Sequence, residues 1–230
     1  MMETEWLTSE DPEPMLRFVR PRAGDRSLRL FAVACWYRVW AAQMPAATTD
    51  AVELLVRHID GVVSPGEWLE GFGAAGGANL GKHFRLLICP DALLTAVESA
   101  RFAAQDLAAR QAWDAVEVDV HADAGRRATQ SNWRSRFRCR ALARERAAQA
   151  GLVREVFGNP TREVAFDPAW RTGTAVALAK GMYESRDFSA MPILADALQD
   201  AGCGAGEVLG HCREPHGHVR GCWVLDLVRG

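Results

Sequence analysis

The chain has 230 residues, 27 basic and 29 acidic side chains and a formal net charge of −2, with an isoelectric point near 6.3. At this length one core buries roughly 70–75% of the unfolded surface, so folding demands neither disulfides nor a metal. The balanced charge excludes a global attraction to nucleic acid or anionic membrane.

The opening stretch MMETEWLTSEDPEP is acidic where a signal peptide is basic and then apolar, and no run of 18 apolar residues follows. The expectation is a cytoplasmic protein with no membrane partner. Its six cysteines then read as thiols, metal ligands or small buried hydrophobes, not as a disulfide framework.

Helical periodicity dominates. Asp25 precedes RSLRLFAVACWYRVWAAQM, in which Leu28, Phe31, Cys35 and Val39 recur at helical spacing and Leu30, Val33 and Tyr37 fill the next stripe. TTDAVELLVRHIDGVV follows, with Thr49 or Asp50 as cap, Val52, Leu55, Val56 and Ile59 on one face, and Gly61 at the end. Residues 64–82 are glycine-rich and predict a connection with a short helix over EWLEGF, its most glycine-dense part being 71–81. Lys82 closes that stretch, but His83 stands where a phosphate-binding loop needs a hydroxyl.

Pro90 and Asp91 open a long alanine-rich helix with Leu93, Val97, Ala100, Ala104 and Leu107 as its stripe. The alternating Val116, Val118 and Val120 allow a short strand. A second long helix runs to Gly158 and carries Arg126, Arg127, Arg134, Arg136, Arg138, Arg140, Arg144 and Arg146 with Trp133 and Phe137. Arginines interleaved with aromatics can grip phosphates and stack bases, Arg134, Arg138 and Arg140 being the candidates, but Arg134, Arg136, Arg138 and Arg140 step by about 200° each on a helix and so spread around it instead of lining one stripe. A solvated helix anchored by Trp133 and Phe137 explains the pattern more simply.

The last third reads as a turn, an extended REVAF piece, and a DP turn anchored by Trp170. Two helices then set Val176, Ala179 and Met182 or Tyr183, and Leu194, Ala197, Leu198 and Ala201, inward. GEVLGHC forms a further turn. HVRGCWVLDLV is helical by position and strand-like by its branched residues.

The last 28 residues hold Cys203, Cys212, Cys222, His211, His216 and His218, half the cysteines and half the histidines of the chain. The candidate zinc ligands are Cys203, Cys212, His218 and Cys222, at spacings that lack the close ligand pairs of strong zinc signatures. His211 neighbours Cys212 and points about 100° away on a helix, so at most one of the two joins readily. As a catalytic alternative, Cys212 or Cys222 would be a thiol nucleophile, His218 its base and Asp226 the group orienting that base. Packing of the cysteines between short helices, with Arg220 paired to Asp196, Asp200 or Asp226, is the simpler reading.

The segments EWLTSEDPEPMLRFVRPRAGDRSLRLFAVACWYRVW, LVREVFGNP, FDPAWRT, MYESRDFSAMPILADALQDAGC and HCREPHGHVRGCWVLDLVRG resemble the N- and C-terminal blocks of an uncharacterised, highly paralogous bacterial family. The resemblance covers roughly residues 3–44 and 152–230 and implies no activity. Members often carry several cysteines in the block matching LRLFAVACWYRVW, where this chain has only Cys35, and tend to have proline or glycine where His216 stands.

The expected architecture is therefore all-α: one domain over 1–230 of orthogonally packed short and medium helices, with room for one or two very short strands. Its parts are N-terminal helices (1–63), the Gly-rich loop (64–82), Ala/Arg-rich helices (90–158) and a C-terminal helical motif (159–230). The expected function is a non-catalytic helical adaptor with a protein partner and no required cofactor. The alternatives are zinc binding or a thiol-dependent enzyme or sensor at the C-terminal Cys/His group, and nucleic-acid binding through the arginine-rich helix 126–146.

Overall fold

A computed structural model of the chain describes residues 1–74, 87, 91–120, 130–215 and 217–230, of which 74, 112–120 and 130–137 are described by backbone alone. The central glycine-rich stretch with Lys82 and His83, Arg126 and Arg127, the side chains of Trp133, Arg134, Arg136 and Phe137, and His216 lie outside these bounds.

The fold is all-α. Its helices are α1 (Glu3–Thr8), α2 (Pro12–Val19), α3 (Asp25–Trp40), α4 (Ala46–Ile59), α5 (Pro65–Ala74), α6 (Ala92–Val120), α7 (Gln130–Phe157), α8 (Gly173–Ser185), α9 (Met191–Asp200), α10 (Gly206–Arg213) and α11 (Trp223–Arg229). No strand occurs among the described residues. The run containing Val116, Val118 and Val120 continues α6, and REVAF is irregular chain. Three alternating valines do not make a strand without a partner edge, and a helix already under way continues through them. HVRGCWVLDLV resolves into a turn followed by α11.

The chain forms two compact units. Unit 1 comprises Met1 and Thr8–Leu152, and unit 2 comprises Met2–Leu7 and Val153–Gly230.

In unit 1 the apolar α3 buries Leu28, Phe31, Cys35, Trp36 and Trp40 and packs chiefly on α6. The face of α6 is built from Ala92, Ala96, Ala100, Ala103, Ala104 and Ala108, whose small side chains let the backbones approach closely. Trp40 Nε1 donates to Asp106 at 2.7 Å, and Gln149 donates to the carbonyl of Ala100 at 3.0 Å. Glu145 is buried and accepts Arg38 Nε at 2.9 Å. Burial pushes its carboxyl up despite Arg38 and Gln149.

Local chemistry explains the boundaries. Asp91 caps α6 by accepting the Leu94 amide, and Ser64 and Glu67 exchange side-chain and backbone hydrogen bonds in a capping box that starts α5. The cap of α4 is Pro45, not Thr49 or Asp50. The amides of Thr48 and Thr49 bond to the Pro45 carbonyl, so the helix begins a turn earlier.

Unit 2 packs α8, α9, α10 and α11 around Met182, Met191, Leu194, Leu198, Val208, Val224, Leu225 and Val228. Thr172 caps α8 by accepting the Ala175 amide. Trp170 and Phe166, in edge-to-face contact, pack on the same core. Trp6 of α1 is fully buried. Its indole donates to the carbonyl of Gly158 at 3.1 Å, and Arg154 donates to its own carbonyl.

Candidate metal centre

Four segments of unit 2 converge on one buried spot. Glu155 sits in the last turn of α7, His211 in the last turn of α10, His218 in the α10–α11 connection and Cys222 at the cap of α11. Each supplies one atom able to ligate a metal, and the four atoms all lie within 4.8 Å of one another.

Backbone geometry sets the approach. Gly158 ends α7 with φ +62°, and a Cβ there would meet the Trp223 ring at 3.2 Å, so the helix stops one turn after Glu155 with Trp223 closed over the stop. The connection before Cys222 turns through Gly221 at φ 86°, with the Cys222 amide bonded to the carbonyl of Val219. This turn brings His218 and Cys222 together without a shared helical face. Arg220 donates to the carbonyls of Tyr183 and Glu184 at the end of α8, and it is Arg213 that binds Asp196.

His211 Nε2 lies 3.2 Å from Cys222 Sγ and 3.2 Å from Glu155 Oε2. His218 Nδ1 lies 3.0 Å from Glu155 Oε1. A tetrahedral zinc with bonds of about 2.0–2.3 Å has ligand–ligand edges of roughly 3.3–3.8 Å. The three close pairs, which use both carboxylate oxygens of Glu155, lie a few tenths of an ångström inside those edges, and one atom from each of the four residues lies within 4.8 Å of the others. The His211 ring stands edge-to-face with His218 and tilted against Trp223, so its orientation is set on two sides.

The side chains of Glu155 and His218 are each 4% exposed and that of His211 12%. Burial pushes the Glu155 carboxyl up, but the hydrogen bonds and charges of His211 and His218 outweigh it and hold the group at about 2. Burial and the Glu155 charge push the Cys222 thiol well above its ordinary range, while backbone amides of Leu225 and Val224 favour its thiolate. Burial likewise pushes Cys212 up to about 12. Both thiols are held protonated at neutral pH unless a metal displaces the proton, which disfavours them as nucleophiles.

Of the residues singled out in the sequence, His218 and Cys222 lie in this cluster, whereas Cys203 and Cys212 are buried in the apolar core of unit 2. On α10 the roughly 100° step between neighbours turns His211 to the cluster and Cys212 to the core. Asp226 lies 3.5 Å from Arg229, and the carboxylate on His218 is that of Glu155. Glu155 has no signal in local spacing, since it lies 63 residues from His218 in sequence. Arg138 and Arg140 are exposed, and Arg146 pairs with Asp11. No helix among the described residues is long and apolar enough to cross a membrane. No family model, curated protein or solved structure matches the chain.

Proposed function

We propose that unit 2 is a zinc-binding helical module whose metal is structural. The observation that carries this reading is the convergence of one carboxylate, two imidazoles and one thiol within 4.8 Å in a buried site. One thiolate and one carboxylate with two neutral imidazoles balance a divalent cation to zero net charge, the state a low-dielectric interior tolerates best. A thiolate with imidazoles suits zinc better than magnesium or calcium, which take oxygen ligands.

Four protein ligands fill a tetrahedral shell, and burial of the site leaves little path for a substrate, so the role is structural and not catalytic. The short helices of unit 2 support a stapling role: α8–α11 are 13, 10, 8 and 7 residues long, and small units of short helices are commonly stapled by a metal. All four ligands fall within the motif-bearing segments LVREVFGNP and HCREPHGHVRGCW. We propose on that basis that the resemblance to the paralogous family extends to the centre, and that the chain acts on protein partners as a folded module.

Metal analysis of the purified full chain tests this. About one equivalent of zinc is expected, falling below about a tenth in Glu155→Gln, His211→Ala and Cys222→Ser and retained in Cys203→Ser and Cys212→Ser. Equal loss in the last two, or no zinc in the wild type after growth with zinc, overturns the assignment.

A further inference from the structure

The N-terminal helix α1 docks beside the ligands of the metal centre. Residues Met2–Leu7 belong to unit 2, whereas the chain from Thr8 to Leu152 belongs to unit 1. We propose that occupancy of the centre controls this docking, α1 being held while zinc is bound and released when zinc is lost. The proposal rests on the zinc reading above and adds to it the regulation of that same site.

The contacts of α1 run to the elements that carry Glu155 and His211. Trp6 is fully buried, and its indole N–H donates to the carbonyl of Gly158 at 3.1 Å. Arg154, the neighbour of Glu155, donates to the Trp6 carbonyl at 3.0 Å. Asn159 donates to Glu3 at 2.9 Å, and Arg162 bridges Glu3 at 2.5 Å and Glu207 at 3.0 Å. Glu207 stands on α10 one turn before His211. The dock for α1 therefore needs the end of α7 and α10 in register, and these are the elements a metal ties together through Glu155 and His211. Cys222 acts at the same place, because its neighbour Trp223 closes over Gly158, whose carbonyl receives the Trp6 indole.

Six residues are too few to hold a helix in water, so α1 is helical because it is docked. Loss of the metal removes the common atom that fixes the end of α7 against α10, and with it the preformed dock. The coupling is reciprocal: docking of α1 strengthens zinc binding by the factor by which zinc strengthens docking. Release frees METEWL, an acidic segment in which the buried Trp6 joins Leu7, already 52% exposed.

Hydrogen exchange of the ¹⁵N-labelled full chain, with zinc and after its removal by a chelator, tests the coupling. Protection of the Trp6 indole N–H, identified with Trp6→Phe, reads the ratio of docked to released α1, and the Leu198 amide reads the core of unit 2. Zinc removal is expected to lower Trp6 protection at least about fivefold more than that of Leu198. Zinc affinity, measured by chelator competition, should fall at least about fivefold in Trp6→Ala and stay within about twofold in Leu7→Ala. Zinc uptake with Trp6 protection unchanged, or lowered only in step with Leu198, overturns the coupling alone. A wild type that takes up no zinc overturns the zinc reading and the coupling with it. Should Trp6→Ala fail to fold, the exchange comparison on the wild type decides the same point.

Discussion

At Glu155 the physical demands are sharpest, because a carboxylate that is 4% exposed must be compensated wherever the protein keeps it charged. In Glu155→Gln the two histidines lose that partner. We expect zinc affinity to fall at least about 100-fold, beyond the 10–100-fold typical of changes to supporting groups. Metal-free stability should also drop by roughly 3–5 kcal/mol, the range for breaking a buried pair, measured by urea unfolding. The sign of the acid response follows from the depressed carboxyl. A group held at about 2 against an ordinary 4.5 contributes stability that is present above 4.5 and lost as pH falls toward 2. Metal-free wild type should therefore lose more stability than Glu155→Gln on acidification through that window. Equal losses would place the depression elsewhere. Thiol labelling adds an independent check: exposed Cys139 should react quickly in the native state, and buried Cys212 and Cys222 only on unfolding.

Helix ends carry much of the burden at the next scale. Gly158 combines a left-handed φ of +62° with Trp223 atoms 3.2 Å from where a Cβ would sit. Gly158→Ala is expected to destabilise the chain by about 1–3 kcal/mol and, since Trp223 follows Cys222 directly, to weaken zinc binding as well. A variant with unchanged melting and metal affinity would show that the turn is not coupled to the centre. The stop at Gly158, the end at Gly61 and the glycine stop after α9 were legible because glycine has a known use at helix ends. The start of α4 was not, because Pro45 fixes its own φ and presents a carbonyl that competes with the threonine caps nearby. Nor were the valines at the end of α6, whose alternation is overruled by the helix that leads into them.

For the whole molecule, hydrophobic periodicity is a property of each segment and so reports the all-α class directly, whereas the division into two compact units depends on contacts between distant segments. The site divides the same way. His218 and Cys222 are four residues apart and visible as a pair, but Glu155 and His211 join them only through the ends of α7 and α10. Zinc binding requires loss of the Cys222 proton, so apparent affinity should rise with pH across the neutral range and protons should be released on binding. Calorimetry in buffers of different ionisation enthalpy checks this, and a pH-independent affinity would exclude the thiolate as a ligand. The most direct test of the central claim is X-ray absorption at the zinc edge of the loaded full chain. One sulfur at about 2.3 Å and three nitrogen or oxygen neighbours at about 2.0–2.1 Å are expected, the sulfur vanishing in Cys222→Ser and persisting in Cys212→Ser. A shell without sulfur, or with sulfur lost only in Cys212→Ser, would contradict the centre described for Glu155, His211, His218 and Cys222.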